Sequence, residues 1–188
     1  MLYTAEDNLS TNQRLIETNV MALREGAQLL KVLKDNQYTE GFKPAFHSTI
    51  GAHFRHVLEH YRCFLNQLTC LQFCYDKRAR DQRLENDESY AKTTIVELIK
   101  GLEKIEDQAF LKSYTFVDEQ SVEPIATNLQ RELLFLQSHT VHHYAIIGAM
   151  TRAFGNQPDN EFGVAIATRT HQKNLSDNIT GEPSTCAQ

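Results

Sequence analysis

Six histidines lie in two short stretches of the chain, and some of them could bind one metal ion. The first stretch, HFRHVLEH, spans residues 53–60, and the second, HTVHH, spans residues 139–143. Neutral imidazole is a common protein ligand of divalent metals, so the two stretches indicate metal chemistry. Neither stretch is sufficient alone, because a buried imidazole can also be satisfied by carbonyl or carboxylate groups.

The second stretch presents two of its histidines on the buried face of a predicted helix. The apolar stripe of that helix runs through Leu129, Leu133, Leu136, Ile146 or Ile147, and Met150. His139 and His143 fall on the same face and lie four residues apart, which is the spacing that lets an HExxH element bind a metal. His142 lies about 100° further round the helix and is expected to point away from this pair.

A third nitrogen from the first stretch would complete a three-histidine site with open coordination positions. The helical wheel does not select this ligand well. The apolar centre of the helix passes near Val57 and Tyr61, so His53 and His60 flank it, whereas His56 lies further round. Periodicity alone therefore favours His60 or His53 as the third ligand.

Four long segments with helical periodicity must position these histidines. The predicted helices cover about residues 10–34, from 48 or 49 to 73, 88–109, and from 127 or 128 to 154. The densely charged residues 75–89 are predicted to form an exposed turn, and SYTFV within residues 110–127 favours a short strand pair or an ordered loop. The pattern predicts an all-α fold, namely a four-helix bundle with a short irregular or β-hairpin insertion before the last long helix.

The chain resembles the DinB-like superfamily of metal-binding four-helix proteins over about residues 10–155. STIGAHFRHVLEH, which begins at Ser48, is similar to the family element in which a cap residue opens the second helix and a ligand histidine follows about two turns later. HTVHH matches the family's His-x-x-His-His element, of which the first and last histidines bind metal. The resemblance implies His56, His139 and His143 as the metal ligands. It leaves His60 as the reserve third ligand and His53 as a neighbour of the site or a surface histidine.

The same resemblance implies a metal-dependent enzyme, either a hydrolase or a thiol-dependent S-transferase, that acts on a small-molecule substrate. Three neutral imidazoles would hold Zn²⁺, Ni²⁺, Fe²⁺ or Mn²⁺, and the open positions would take water or a low-molecular-weight thiol. Glu59 and His142 lie near the ligands in sequence, but their spacing does not assign a general base. The alternatives are a metal-binding or stress-response scaffold without turnover, and a bundle that binds no metal.

The chain departs from the family where many members continue the second element with Arg-Gly-Gln, because residues 144–147 read YAII. Arg55 is one candidate to supply the missing arginine, although a solvated surface charge is the commoner state of this residue type. The segment YDKRARD offers either a solvated loop or a rim that binds an anionic group through Arg78 or Arg80.

The length and composition limit the domain count and the partners. At 188 residues we expect one domain, a bundle over residues 1–167 followed by a disordered polar tail over residues 168–188. The excess of 24 acidic over 19 basic residues argues against nucleic-acid binding. The apolar run FGVAIA at residues 162–167 would allow a homodimer.

The compartment is predicted from what the sequence lacks. No apolar run approaches the roughly 20 residues that cross a bilayer, and the first residues lack the basic and apolar regions of a signal peptide. Four cysteines are too sparse for a disulfide framework in a chain of this size. The sequence therefore predicts a cytoplasmic protein that does not enter a membrane.

Overall fold

Four long helices build the body of the protein. The computed structural model describes residues 9–34, 36–41, 43, 46–120 and 123–180. Within these ranges the helices are α1 (Thr11–Leu29), α2 (Ile50–Gln67), α3 (Gln82–Asn86), α4 (Glu88–Glu103), α5 (Leu129–Ala153) and α6 (Ile166–Thr180). Both α1 and α2 pack against α4 and α5, so the four long helices surround one core, and the predicted four-helix bundle is confirmed. None of these described helices combines the length and the apolarity needed to cross a membrane.

Side-chain caps fix where the two histidine-bearing helices begin. The Thr49 hydroxyl accepts the backbone N–H of Ala52 at 2.9 Å at the start of α2. The Asn128 side chain accepts the backbone N–H of Arg131 at 2.8 Å at the start of α5. Each cap satisfies a helix N–H that would otherwise have no partner. The predicted starts of both helices are therefore confirmed to within a residue.

The buried stripe of α5 sets the direction in which its histidines point. The fully buried apolar residues of this helix are Leu129, Leu133, Leu136, Ile147 and Met150. Burying each such side chain contributes about 1.5–3 kcal/mol relative to leaving it in water, so the rotation of α5 about its own axis is strongly determined. His139 and His143 lie at the edge of this stripe, half-buried between α5 and α2.

A buried polar network joins three helices beside the histidines. The Tyr61 hydroxyl donates to Asn19 Oδ1 at 2.8 Å, and Thr140 Oγ1 lies 3.2 Å from the same hydroxyl. Asn19 also donates to the carbonyls of Leu15 and Leu133 at 2.8 and 3.1 Å. The network ties α1, α2 and α5 together one residue away from His139.

A small sheet lies before α5, where a short strand pair or an ordered loop was expected. Its strands are β1 (Gln72–Phe73), β2 (Tyr114–Phe116) and β3 (Ile125–Thr127), in the order β1-β2-β3. The predicted pair is present as β2 and β3, which run antiparallel, and β1 adds a parallel edge. The prediction that the second helix continues to Phe73 is wrong. That helix ends at Gln67, and Leu71, with φ of 55°, turns the chain into β1.

The charged segment 75–89 is more than an exposed turn. It contains a 3-10 turn at Tyr75–Lys77 and the short helix α3. Tyr75 is 6% exposed and Leu84 is fully buried, so these two side chains hold the segment against the bundle. The third long helix likewise differs from expectation, because α4 ends at Glu103 and a separate 3-10 turn covers Asp107–Leu111.

The chain after the bundle forms a further helix up to Thr180. Residues 168–180, for which disorder was expected, belong to α6, whereas residues 181–188 lie outside the described part. Arg169 donates to both carboxylate oxygens of Glu25 at 2.6 and 2.9 Å and docks the first turn of α6 on α1. The polar composition of this region predicted disorder, whereas the structure has a helix held to α1 by an ion pair. The domain boundary at residue 167 stays a prediction.

Candidate metal centre

Three imidazoles from two helices converge at one point. His56 lies in the middle of α2, and His139 and His143 lie one turn apart on α5. One nitrogen of each ring lies within 4.8 Å of the others, which is close enough for all three to hold one ion. His56 Nε2 and His139 Nε2 are 3.0 Å apart. The structure thus brings together the three residues that the resemblance implied, and their binding of a metal stays a prediction.

The geometry and the protonation state of this cluster suit a divalent metal. Two nitrogens bound to one tetrahedral Zn²⁺ at 2.0–2.1 Å would be separated by about 3.3 Å, close to the observed spacing. Burial, followed by the neighbouring histidines, lowers the pKa of His56 and of His139 to about 3, and that of His143 to about 4. The rings are therefore neutral at physiological pH, the form that ligates metals.

His53 and Ser48 fix the ring of His143. His53 Nδ1 lies 2.9 Å from His143 Nδ1, and Ser48 Oγ lies 2.7 Å from His53 Nε2. A ring that offers Nε2 to a metal carries its proton on Nδ1, so His143 would donate to His53 and His53 would donate to Ser48. Contacts of this kind orient ligand imidazoles and set their tautomer. The sequence left two alternatives for His53, a neighbour of the site or a surface residue. Its contact with His143 makes it a neighbour of the site.

His60 lies against the cluster without joining it. Among the described residues the group that could hold a metal consists of His56, His139 and His143. His60 is 5% exposed, and its Nδ1–H donates to the backbone carbonyl of His56 at 2.6 Å. Its ring centroid lies 4.3 Å from that of His139. The His60 ring also stacks on the ring of Tyr75, with centroids 5.4 Å apart. The helical wheel favoured His60 because it flanks the apolar centre of α2, but one of its nitrogens is used within its own helix.

A pocket of about 520 Å³ opens beside the cluster. Phe135 forms part of its wall and stacks on His139 with ring centroids 5.5 Å apart, so the pocket and the histidines share a boundary. Glu132 also lines the pocket and is 5% exposed. The volume is sufficient for a small molecule. A larger cavity of about 860 Å³ lies between α1 and residues 158–169, and no histidine lines it.

The carboxylate and the arginine considered from the sequence have structural partners. Glu59 is 2% exposed, accepts the backbone N–H of Asp81, and lies 3.9 Å from Arg78 Nε. Arg55 forms an ion pair with Glu85 near the C-terminal end of α3. Both side chains hold segment 75–89 against α2, and their contacts do not place either at the cluster.

Arg78 is the basic residue of segment 75–89 that comes near the histidines. Its side chain is 18% exposed and donates to the backbone carbonyl of Tyr75 at 3.0 Å. After burial and the neighbouring histidines, its positive charge is a further cause that lowers the pKa of His56 and His139. Arg80 is exposed, so of the two arginines proposed for an anion-binding rim only Arg78 adjoins the cluster.

Sequence reasoning missed the residues that build the pocket. Tyr75, Glu132 and Phe135 line it, yet none was singled out. Phe135 precedes His139 by four residues, so the i, i+4 rule applied to the ligand could have found it. Glu132 is one turn further back on the same helix. Tyr75 reaches the pocket only through the tertiary fold and left no signal in the sequence.

Comparisons with known proteins place the chain in a family. The DinB family matches residues 8–170, which include the bundle and both histidine stretches. The chain belongs to the DinB family. This DinB-family chain is also similar to a solved structure, YfiT from Bacillus subtilis, described as a probable metal-dependent hydrolase with an unusual four-helix bundle topology. The TM-score is 0.59 at 17% identity, over 81% of this chain and 94% of that one, which confirms the fold.

A curated relative matches over a shorter region. The chain is 30% identical over 104 residues to FK506-binding protein 5 of Rhizopus delemar. The match covers 53% of this chain and 27% of that protein. The match therefore spans about a quarter of the longer relative. Most of the protein that carries that name lies outside the match.

Proposed function

We propose that this DinB-family protein is a metal-dependent enzyme in which His56, His139 and His143 bind one divalent ion. The observation that supports this proposal best is the approach of three imidazole nitrogens to within 4.8 Å of one another. Membership of the DinB family and the likeness to YfiT agree with it. Imidazole nitrogens suit Zn²⁺, Ni²⁺ and Fe²⁺, and they bind Mn²⁺ more weakly.

The ion would lower the pKa of a water or a thiol that binds it and so supply a nucleophile at neutral pH. Within the chain, three neutral side chains hold the ion and leave its other coordination positions to water and substrate. With an ion on Nε2 of His143, His53 would accept from the Nδ1–H of His143 and so hold that tautomer. Phe135 and Tyr75 form an apolar wall beside the cluster and exclude water from one side of the substrate.

Hydrolysis and transfer of a low-molecular-weight thiol both fit this arrangement, and an assay panel separates them. The metal-loaded protein is incubated with esters and amides, and separately with small thiols and electrophiles. We expect turnover that requires added Mn²⁺, Zn²⁺ or Ni²⁺, is lost in His139→Ala, and persists in the exposed-site control His47→Ala. If the protein binds one ion but turns over no substrate of the panel, the result would favour the alternative of a metal-binding scaffold without turnover.

We also propose a cytoplasmic location and leave assembly as a prediction. Cys63, Cys70 and Cys74 are unpaired in the described part of the chain, which suits a reducing compartment. The homodimer suggested by residues 162–167 is tested by light scattering at dilute concentration, where the mass of one chain would refute it. The absence of nucleic-acid binding likewise stays a prediction from the acidic composition.

A further inference from the structure

We infer that the pocket beside the histidine cluster binds a substrate that carries an ammonium group, with Glu132 as the counter-charge. This inference rests on the proposed function, since it names the class of molecule that the same site would receive. It combines three observations, which are the burial of one carboxylate, the aromatic walls around it, and the charge of the lining.

Glu132 is a buried carboxylate without a cationic partner. Its two oxygens accept one hydrogen bond each, from the Tyr75 hydroxyl at 2.8 Å and from Thr127 Oγ1 at 2.7 Å. Both donors are neutral hydroxyls, and within the described residues no Lys, Arg or His nitrogen lies within ion-pair distance of Glu132. A buried charge is costly unless it is paired, so a cation that enters the pocket would supply the missing partner.

Three aromatic rings line the same pocket as this carboxylate. The ring centroids of Tyr75 and Phe135 lie 5.1 Å apart, and Phe116 lies 6.3 Å from Tyr75. All three rings line the pocket together with Glu132. Aromatic faces attract ammonium groups, and a combination of rings and a carboxylate is the usual chemistry of ammonium recognition. Because Phe135 also stacks on His139, an ammonium held here would keep the rest of a small molecule within reach of the metal ligands.

The remaining charges of the pocket agree with a cationic guest. Asp76 and Asp118 line it in addition to Glu132, whereas Arg131 is the one arginine or lysine among its lining residues. Arg131 is exposed and lies in solvent, and Glu132 is buried. A desolvated negative charge attracts more strongly than a solvated positive charge repels. The structure therefore favours a small molecule with an amino group over one with a carboxylate or a phosphate.

The test compares two probes of similar shape that differ in charge. 2-Phenylethylamine is cationic at pH 7, and 2-phenylethanol is neutral. Their affinities are measured by NMR titration on the full chain loaded with Zn²⁺, for the wild type, for Glu132→Gln, and for Glu161→Gln. Glu161 lines the other, larger cavity and serves as the matched control. Gln keeps an oxygen that accepts the Tyr75 hydroxyl bond, so the variant removes the charge and preserves that contact.

We expect the amine to bind at least 10-fold more tightly than the alcohol in the wild type and in Glu161→Gln. In Glu132→Gln this preference should fall at least 10-fold while the affinity of the alcohol stays the same. Equal binding of both probes by the wild type would overturn the inference without any variant, and so would an unchanged preference in folded Glu132→Gln. Metal content separates the two proposals: a wild type that holds zinc without amine preference refutes only this inference, whereas amine preference without metal refutes the metal-dependent function.

Discussion

His53 Nδ1 lies 2.9 Å from His143 Nδ1, and this contact links two helices at the edge of the histidine cluster. With Ser48 Oγ at 2.7 Å from His53 Nε2, the three side chains form a line from the start of α2 to the cluster. Carboxylates and backbone carbonyls are the common partners of ligand histidines. A neutral histidine in that place donates less charge to the ligand ring, so the bound metal would retain more of its acidity.

Replacing His53 should weaken metal binding without removing a ligand. In His53→Leu the ring of His143 loses the acceptor for its Nδ1–H, and we expect the dissociation constant for Zn²⁺ to rise about 10- to 100-fold. His53→Asn keeps an acceptor near the position of Nδ1 and should recover most of the affinity. The constants are measured by competition with a chromogenic chelator. His47→Asn is the control, because His47 is exposed. Wild-type affinity in His53→Leu would show that the contact does not support the ligand.

The metal-free protein should lose stability as the pH falls below about 6.5. Burial lowers the pKa of His56 and His139 to about 3 and of His143 to about 4, from 6.5. The unfolded chain therefore binds protons first. The contribution of the neutral rings to stability is complete above pH 6.5 and is lost progressively down to about pH 4 for His143 and about pH 3 for His56 and His139. Each ring adds a slope of up to about 1.4 kcal/mol per pH unit.

Urea unfolding at pH 7.0, 6.0 and 5.0 measures this dependence for the wild type and for His139→Phe, both without metal. The variant lacks one of the titrating rings, so its free energy of unfolding should fall less steeply with acidification. Parallel curves would mean that carboxylates rather than the cluster govern the acid sensitivity.

Two buried tyrosines should respond in opposite ways to loss of the hydroxyl. The Tyr61 hydroxyl donates to Asn19, so Tyr61→Phe leaves a buried acceptor short of a donor and should cost about 1–3 kcal/mol. The Tyr144 hydroxyl is buried without a hydrogen-bond partner within the described residues, so Tyr144→Phe should be neutral or stabilising. Urea unfolding measures the free energy of unfolding of the two variants and of the wild type, and each variant serves as the control for the other. Equal losses would contradict the assigned hydrogen bonds.

The pair on α5 was predictable because one physical rule connects its members. His139 and His143 share a face by helical periodicity, and the stripe that ends at Met150 fixes which way that face points. The third histidine was not predictable from periodicity, which averages burial along a whole helix. In the structure Nδ1 of His60 is hydrogen-bonded to the His56 carbonyl, and Nδ1 of His53 is hydrogen-bonded to His143. His56 remains, and the family resemblance was the guide that indicated it.

The regions where the prediction failed depend on contacts between distant parts of the chain. Tyr75 and Leu84 lie among charged residues in the sequence. Leu84 is buried where α3 packs on α2 and α4, and Tyr75 is buried where its ring meets His60 of α2 and Phe135 of α5. The helix after residue 165 is docked through Arg169 and Glu25, which lie 144 positions apart. Glu132 and Tyr75 meet across 57 positions. Local patterns carry no information about such pairs, so Phe135 was the part of the pocket that the sequence could have indicated, and the pairing of Glu132 with Tyr75 required the fold.

The metal content of the protein tests the central proposal most directly. Untagged protein, purified without a nickel column and then dialysed against Zn²⁺, is analysed for bound metal by mass spectrometry of the elements. We expect one ion per chain in the wild type and in His47→Ala, and less than about a tenth of that in His56→Ala and His139→Ala, with all four folded by circular dichroism. A folded wild type without bound metal, or His139→Ala with a full equivalent, would contradict the three-histidine centre.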